Sequence, residues 1–236
     1  MKNGVLYLIP VPLAPEGLRQ TATISLPHIA HIRHFIVENT RSARRFLRAV
    51  DSEFPIDETV FEEMDKHSKY SFDENIFKYA QEGFDIGLLS EAGCPAVADP
   101  GHHVVAAAHS HGIIVQPLPG PNSMIMALMA SGFPGQKFTF HGYLPLDNNQ
   151  RRNLILYMER EADTGHTHIF MDTPFRNAKI YDDLLTWLKP KTELCVASNI
   201  TGSNEQVHTR TVEEWKKLKP DLKKIPIVFI IGNSNS

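Results

Sequence analysis

The sequence predicts an α/β protein made of two α/β domains with mostly parallel or mixed sheets. Three observations predict this fold: short apolar runs recur along the 236 residues, helix-like segments lie between most of them, and a proline cluster interrupts the series near the middle. Strands that alternate with helices are typical of α/β folds, in which the sheets are mostly parallel. Hydrophobic residues make up 42% of the chain, which is enough for a substantial core.

The apolar runs predict the strands Val5–Ile9, His34–Val37, Ile86–Leu89, Ile113–Leu118, Lys137–Phe140, His168–Met171, Leu194–Ala197 and Ile227–Ile231. The segments between them predict the helices Thr40–Val50, Asp73–Glu82, His102–His111, Asn122–Ser131, Asn149–Glu161, Phe175–Leu188 and Val212–Leu218. The proline cluster is Pro117-Leu-Pro-Gly-Pro121. Because proline ends strands and restricts the residue before it, we expect the boundary there, with domains at 1–118 and 119–236.

Charge and cysteine content limit the possible partners. The formal net charge of −3 excludes a global basic field, so any contact with nucleic acid must come from local patches. Cys94 and Cys195 are too few for a disulfide framework or a zinc knuckle, so we expect a reducing compartment and no metal site. The start of the chain does not resemble a signal peptide, and the late apolar run Ile225–Ile231 is too short for a membrane span. We therefore expect a cytoplasmic protein with no membrane partner.

The segment Ser90–Gly101 is the most constrained stretch, with two glycines, two prolines and two carboxylates in twelve residues. It follows a predicted strand, and open parallel sheets bind small molecules at the carboxyl ends of their strands. Gly93 permits close approach of the backbone to a ligand, and Glu91 and Asp99 can accept hydrogen bonds from hydroxyl groups. The alternative is a tight connection stiffened by its two prolines.

Four arginines lie on one face of the predicted helix Thr40–Val50: Arg41, Arg44, Arg45 and Arg48. A guanidinium group binds phosphate in a forked geometry, so this face is a candidate phosphate-binding surface. The alternative is an ordinary solvated helix face. Lys137, Arg151 and Arg152 are candidates to extend the surface.

Polar segments also follow other predicted strands. In Met171-Asp-Thr-Pro-Phe-Arg176, Arg176 can reach an anionic substrate, or the segment is a capped helix start with proline in its first turn. The segment Ala197–Glu205 is either a lid or a plain connection. In Leu118-Pro-Gly-Pro-Asn-Ser123, Asn122 or Ser123 can cap the next helix, whose amino terminus can also hold a carboxylate or phosphate.

Two clusters favour structural roles. The methionines Met124, Met126 and Met129 are expected to fill the core, because methionine packs into irregular gaps. Five lysines are expected to solvate an exposed helix and its loop: Lys216, Lys217, Lys219, Lys223 and Lys224.

Several motifs are absent from the sequence. It contains no Walker loop, no Gly-x-Gly-x-x-Gly after the first strand and no Gly-x-Ser-x-Gly elbow. Dinucleotide binding, nucleotide hydrolysis and serine hydrolase chemistry are therefore disfavoured.

The ordered motifs resemble the tetrapyrrole methylase superfamily, which uses S-adenosylmethionine. They are most similar to the branch that methylates the 2′-oxygen of a cytidine in small-subunit ribosomal RNA. The motifs in chain order are Leu6-Tyr-Leu-Ile-Pro10, Glu38-Asn-Thr-Arg41, Ser90–Gly101 and Pro119-Gly-Pro-Asn122. Two segments depart from the branch: Met171–Arg176 replaces Glu-Ser-Pro-His-Arg, and Asn199-Ile-Thr-Gly202 replaces Glu-Leu-Thr-Lys.

The resemblance implies two α/β domains with S-adenosylmethionine in the cleft between them, a homodimer, and ribosomal RNA or the small ribosomal subunit as partner. It implies that the cofactor contacts Pro10, Ser90, Glu91, Ala92, Gly93, Val97, Ala98, Ser123, Met171 and Ile200. A ribose hydroxyl acceptor must lose its proton, and the candidate bases are Glu38, Glu91 and His67. The expected phosphate contacts are Arg41, Arg44, Arg45, Arg48 and Arg176.

Two alternatives to RNA methylation stay open at this point. The first is methyl transfer to another acceptor, such as a protein side chain, a tetrapyrrole or another small molecule. The second is a non-catalytic module that binds the cofactor or RNA without turnover.

Overall fold

A computed structural model describes residues 3–65, 71–218, 220–222 and 224–235. The chain divides into two compact units, of which the first extends to Asn122 and the second begins at Ser123. The predicted division after residue 118 falls a few residues earlier, inside the same proline-rich segment. In the described part of the chain, no helix is both long enough and apolar enough to cross a membrane.

The first unit is built on a parallel sheet of five strands in the order β3-β2-β4-β1-β5. The strands are β1 Val5–Ile9, β2 His34–Val37, β3 Val60–Glu63, β4 Ile86–Leu89 and β5 Ile114–Pro117. The helices are α1 Leu18–Ile29, α2 Thr40–Val50, α3 Phe77–Gln81 and α4 His102–Ser110. Because every strand runs in the same direction, all their carboxyl ends lie at one edge of the sheet.

The first unit has a core on each side of this sheet. Neighbouring residues of β2 enter different clusters: Phe35 packs with Leu47 and Phe54, whereas Ile36 packs with Phe77 and others. Successive side chains of a strand point to opposite faces, so a sheet covered on both faces needs apolar residues in succession. This requirement explains the unbroken apolar runs of the central strands.

The second unit contains a mixed sheet of five strands in the order β6-β7-β10-β8-β9. The strands are β6 Phe138–Tyr143, β7 Thr167–Met171, β8 Glu193–Ser198, β9 Gln206–Thr211 and β10 Ile227–Gly232. The helices are α5 Ser123–Ser131, α6 Asn148–Ala162, α7 Asn177–Trp187 and α8 Val212–Trp215. Only β6 and β7 pair in parallel, and the other pairs are antiparallel. The predicted α/β class with parallel and mixed sheets is confirmed.

Three elements were not predicted: α1, β3 and β9. Strands β3 and β9 lie at sheet edges and carry many polar residues, so they lack the apolar run that marks the central strands. Helix α1 contains Pro27 near its end, a residue that ordinarily argues against a helix interior.

The predicted core role of the methionines is wrong for Met129, because 79% of this residue is exposed while Met124 is buried.

Three histidines form a cluster in the second unit. His141 Nε2 lies 2.9 Å from His168 Nδ1, and the ring of His166 lies 4.5 Å from that of His168. His168 is fully buried, and its Nε2 has no hydrogen-bond partner among the described residues. Burial, together with the nearby charges of His141, His166 and Lys137, lowers the pKa of His168 to about 4. The folded protein therefore holds this ring neutral.

We expect the second unit to lose about 2 kcal/mol of stability through His168 when the pH falls from about 7 to 5. The unfolded ring takes up a proton near its ordinary pKa of 6.5, but the folded ring takes one up only near 4, so acid favours unfolding within this window. Urea unfolding followed by tryptophan fluorescence measures the effect, because Trp187 and Trp215, the two tryptophans of the chain, both lie in this unit. The change of the unfolding free energy with pH should be smaller in His168→Gln. It should be unchanged in His103→Gln, which alters an exposed histidine and serves as control. Equal slopes in His168→Gln and the wild type would contradict the assignment.

Candidate functional site

The segment Ser90–Gly101 follows β4 at the carboxyl edge of the first sheet and is held by its own side chains. Ser90 Oγ donates to the carbonyl of Gly93 at 3.2 Å. Asp99 Oδ1 accepts hydrogen bonds from the N–H groups of Ala96 and Gly101, both at 2.7 Å. One oxygen of the predicted hydroxyl acceptor Asp99 is therefore occupied within the segment. These bonds fix the backbone before any ligand arrives.

Gly93 is required by packing within the first unit. Its N–H and C=O both bond to Val11, at 3.1 and 3.0 Å, and its φ of +76° lies in the left-handed region. A Cβ there would lie 3.1 Å from Leu13 Cδ2. The close backbone approach predicted at Gly93 is thus made to the segment after β1. The same segment packs tightly elsewhere, since a Cβ at Gly120 would lie 2.1 Å from Cβ of the buried Pro10.

Backbone strain is concentrated next to Val97. Ala96 and Ala98 both adopt left-handed backbone, with φ of 65° and 58°. This conformation costs a non-glycine residue about 1–2 kcal/mol, and such residues cluster at ligand-binding and active sites. Val97 between them is 45% exposed, and Ala98 is also exposed. A strained, solvent-facing turn at the carboxyl edge of a parallel sheet fits a ligand loop better than a plain connection.

The second unit repeats this feature after β8. Asn199 and Thr201 have φ of 51° and 69°, and the buried Ile200 lies between them. Thr201 N–H donates to Glu205 Oε2 at 2.5 Å, which closes the loop on itself. The two segments that the sequence singled out after these strands are therefore the ones that carry paired left-handed residues.

Glu38 lies directly after β2, beside the same edge of the first sheet. Its Oε1 accepts the N–H of Glu91 at 3.0 Å, and Ser42 Oγ lies 3.2 Å from Glu91 Oε2. Burial is the largest effect and raises the pKa of Glu38 above its ordinary value. The hydrogen bond from Glu91 N–H opposes this rise, and Asp99 and the charge of Glu91 add to it. A half-buried carboxyl group with a raised pKa is suited to accept a proton near neutral pH.

The other two predicted bases differ from Glu38. The Glu91 side chain is exposed, and its main-chain N–H holds Glu38. His67 lies outside the described residues. The structure thus brings Glu38, Glu91 and Asp99 together at one sheet edge. Within the described residues, no group of three or more His, Cys, Asp or Glu is arranged to hold a metal ion.

Helix α2 begins beside this carboxylate group and exposes the predicted arginine face. Asn39 caps the helix by accepting the N–H of Ser42 at 3.0 Å. Arg41, Arg44, Arg45 and Arg48 are all exposed. The Arg44 guanidinium lies 5.4 Å from the centre of the Phe61 ring, and Arg48 donates to the carbonyl of Ser52 at 2.8 Å. No ion pair joins these four arginines to a carboxylate of the described chain.

Arg176 is engaged within the second unit. Its Nη1 lies 3.2 Å from Asp172 Oδ2, and the guanidinium donates to the carbonyls of Leu144 and Pro145 at 3.4 Å. The helix that follows begins at Asn177, so the proline of this segment does not occupy the first turn as expected.

Among the other predicted cofactor contacts, Ser123 is the first residue of α5 and Met171 the last of β7, and both are half-buried.

The predicted extension of the arginine face through Arg151 is wrong. Arg151 is 2% exposed, and its Nε and Nη2 both lie 2.9 Å from Asp183 Oδ2. Its Nη1 donates to the carbonyls of Pro145 and Leu146, both at 2.8 Å. Sequence reasoning missed this buried pair because its partners lie 32 residues apart on two helices. The sequence contains one indication of this pair, because Asp183 lies among apolar residues of α7 and is therefore expected to be buried.

These features define a class: a two-unit α/β protein with a strained loop after a strand of each sheet. The family model described as Tetrapyrrole (Corrin/Porphyrin) Methylases matches residues 28–216. The chain belongs to this family and is a methyltransferase.

Relatives and solved structures agree with the family. The protein named "Ribosomal RNA small subunit methyltransferase I" of Vibrio cholerae is 31% identical, covering 97% of this chain and 78% of that protein. Its namesake of Escherichia coli O157:H7 is 30% identical with the same two coverages. Among solved structures, uroporphyrin-III-C-methyltransferase from Thermus thermophilus has a TM-score of 0.55 at 18% identity, covering 98% of this chain and 95% of that one. The methyltransferase CobJ has a TM-score of 0.60 at 17% identity, covering 98% and 94%. At these identities the two structures support the fold alone.

Proposed function

We propose that this methyltransferase uses S-adenosylmethionine to methylate the 2′-hydroxyl of a ribose in RNA of the small ribosomal subunit. The observation that carries the proposal is the first-unit edge where the half-buried Glu38 lies beside a strained, exposed loop and the start of an arginine-rich helix. The names of relatives that match 97% of this chain point to the same substrate.

The residues at this edge fit an adenosyl ligand. The exposed Glu91 carboxylate can accept hydrogen bonds from ribose hydroxyls, and the exposed backbone of Ala92, Val97 and Ala98 offers main-chain groups to the remaining polar atoms. Ser90 and Gly93 hold this backbone in place through the bonds described above. In the second unit, Ser123, Met171 and Ile200 are the proposed contacts. When bound, S-adenosylmethionine supplies an electrophilic methyl group whose leaving group is a neutral thioether.

The proposed proton acceptor is Glu38. A ribose hydroxyl becomes a competent nucleophile only as its proton leaves, and a carboxylate with a raised pKa is a better acceptor than an ordinary one. The hydrogen bond from Glu91 N–H fixes the position of Glu38 Oε1, and a side-chain hydrogen bond joins Glu38 to Asp99, so the proposed proton acceptor is Glu38 acting beside the Asp99 carboxyl. Positioning the hydroxyl oxygen for in-line attack on the methyl group, with this carboxylate within reach of the hydroxyl proton, would supply much of the rate.

Arg41, Arg44, Arg45 and Arg48 are the proposed RNA contacts. They are exposed, free of ion pairs within the described chain, and begin one helical turn from Glu38. Guanidinium contacts to phosphates position the RNA without reading its sequence. We place the reaction in the cytoplasm, where ribosomal RNA is available, and propose that the protein is a homodimer.

The proposal is tested in two measurements on the full chain. Calorimetry should detect binding of S-adenosylmethionine. Incubation with radiolabelled cofactor and isolated small ribosomal subunits should label RNA at a ribose hydroxyl, which nuclease digestion identifies. Label that appears only in protein, or on a small molecule, would refute the RNA substrate, and no cofactor binding would refute the enzyme.

Changing Arg44 and Arg45 together to Glu should weaken RNA binding by about 10- to 100-fold near physiological salt, because two phosphate contacts become repulsive. The slope of log affinity against log salt should fall by about 1.4, or about 0.7 per lost contact for a single strand. Fluorescence anisotropy over a salt series measures both quantities. The matched control changes the exposed Lys78 and Arg160 to Glu, which alters the net charge equally. Equal losses in the two double variants would mean that overall charge, rather than this face, attracts RNA.

A further inference from the structure

The second unit contains a cavity of about 550 Å³, whose lining includes Asn199 of the loop after β8 but none of the proposed cofactor contacts Ser123, Met171 and Ile200. One wall is the edge strand β9, where Gln206, His208 and Arg210 alternate along the chain and therefore share a face. Opposite lie Trp215 and the segment that follows α8, including Leu222. The size falls within the range of ligand sites, whose usual lining combines apolar and aromatic side chains with a few polar groups.

Arg210 is an oriented cation whose guanidinium makes no hydrogen bond or ion pair with the described residues. Its guanidinium carbon lies 5.7 Å from the centre of the Trp215 ring. The ring is itself fixed, because its Nε1 donates to the carbonyl of Leu194 at 2.8 Å. Among the described residues, Arg210 Nε has no hydrogen-bond partner and the guanidinium joins no ion pair. The neighbouring acid Glu214 attracts Arg210 electrostatically, but its carboxylate bonds to Thr211, whose N–H and hydroxyl lie 2.8 Å from it.

A half-buried guanidinium without hydrogen bonds costs free energy, and binding an anion removes that cost. The chain next to this wall is strongly basic: the segment 216–224 reads Lys-Lys-Leu-Lys-Pro-Asp-Leu-Lys-Lys, with five lysines and one acid. The acid Asp221 lines the cavity together with Leu218 and Leu222, so this segment forms part of the cavity wall. Lys216, Lys217 and Lys224 are exposed.

We infer that this cavity binds a phosphate of the RNA substrate, with Arg210 as the phosphate ligand and with added attraction from the exposed Lys216, Lys217 and Lys224, which adjoin the lining residues Trp215 and Ile225 in the chain. The inference rests on the proposed function, because it makes the second unit a further contact for the same RNA. Phosphodiester and free nucleotide share this chemistry. The three exposed lysines favour a polyanion, since a single nucleotide needs only the guanidinium and a few polar groups.

The test compares Arg210→Gln with Arg160→Gln in the full chain. Arg160 is a close control, because it lies in the same unit with its guanidinium 5.7 Å from the Tyr157 ring but lines no part of this cavity. Affinity for a short fluorescein-labelled single-stranded RNA is measured by anisotropy over a salt series. Arg210→Gln should weaken binding about 5- to 10-fold and lower the salt slope by about 0.7, and Arg160→Gln should change neither. Arg210→Lys, which keeps the charge, should lie between Arg210→Gln and the wild type.

Further outcomes separate the alternatives. Cytidine monophosphate is titrated by calorimetry as the free-nucleotide probe. If it binds the wild type, loses affinity in Arg210→Gln, and RNA affinity is unchanged, the site is one for nucleotides and the inference is overturned. Equal RNA affinity in Arg210→Gln and Arg160→Gln also overturns it. Methyl transfer by the wild type to small subunits is measured separately, so that a failure of the proposed function is seen in the wild type and a failure of this inference only in the variants.

Discussion

Changing Glu38 to Gln is expected to lower the rate of methyl transfer by about two to four orders of magnitude, the usual contribution of a positioned general base. Glutamine keeps the shape of the side chain and its amide oxygen can still accept the N–H of Glu91, so the loop after β4 should remain in place. It cannot accept a proton from a hydroxyl at neutral pH. The affinity for S-adenosylmethionine should therefore be unchanged within about threefold, a difference of less than 1 kcal/mol.

The pH profile separates a proton acceptor from a structural role. Glu38 must be ionised to accept a proton, so the wild-type rate should rise with pH through its raised pKa and then level off. Glu38→Gln should lack this rise. The variant Glu91→Gln tests the competing base, and Glu58→Gln, an exposed carboxylate of the same unit, serves as control. A full rate in Glu38→Gln together with a large loss in Glu91→Gln would move the role to Glu91.

The sequence predicted the parts of the fold that local patterns determine. All eight predicted strands are present. Six of them are central strands, which require unbroken apolar runs where both faces are covered, and the edge strands β5 and β6 carry enough apolar residues to be recognised. Helix α2 has the predicted bounds, Thr40–Val50, since Ala43, Phe46 and Leu47 repeat at helical spacing opposite the arginines. The polar edge strands β3 and β9 lack such a run, and their pairing depends on neighbours distant in the chain.

The candidate site also has features that local sequence predicts and features that only the folded structure reveals. Position after a strand, together with glycine and proline content, was enough to identify Ser90–Gly101. The state of Glu38 was not predictable, because burial and the approach of Asp99 raise its pKa, and the two residues are 61 positions apart in the sequence. Arg176 and Arg151 look like surface cations in the sequence. Asp172 and Asp183, which hold them, become visible only once the second unit is folded.

The second large expected effect is a loss of stability when the buried ion pair of Arg151 and Asp183 is broken. Changing Arg151 to Met should lower the free energy of unfolding of the second unit by about 3 kcal/mol, the lower end of the cost of breaking a buried ion pair. Asp183 keeps one partner, because Lys179 Nζ lies 2.5 Å from its Oδ1. The expected loss of stability is therefore at the lower end of that range. The loss includes the two hydrogen bonds from Arg151 Nη1 to the carbonyls of Pro145 and Leu146, of which Pro145 would keep only the longer bond from Arg176 at 3.4 Å.

The measurement is urea unfolding followed by tryptophan fluorescence. Trp187 is a direct probe, because the Arg151 guanidinium lies 5.8 Å from the centre of its ring. The neighbouring exposed Arg152 provides the control, and Arg152→Met should stay within about 0.5 kcal/mol of the wild type. Adding Asp183→Leu to Arg151→Met should restore part of the loss, since well-packed apolar residues often replace a buried ion pair without cost. If Arg151→Met unfolds like Arg152→Met, the pair does not hold α6 to α7, and the link between β6 and α6 must be stabilised by Arg176 and apolar packing instead.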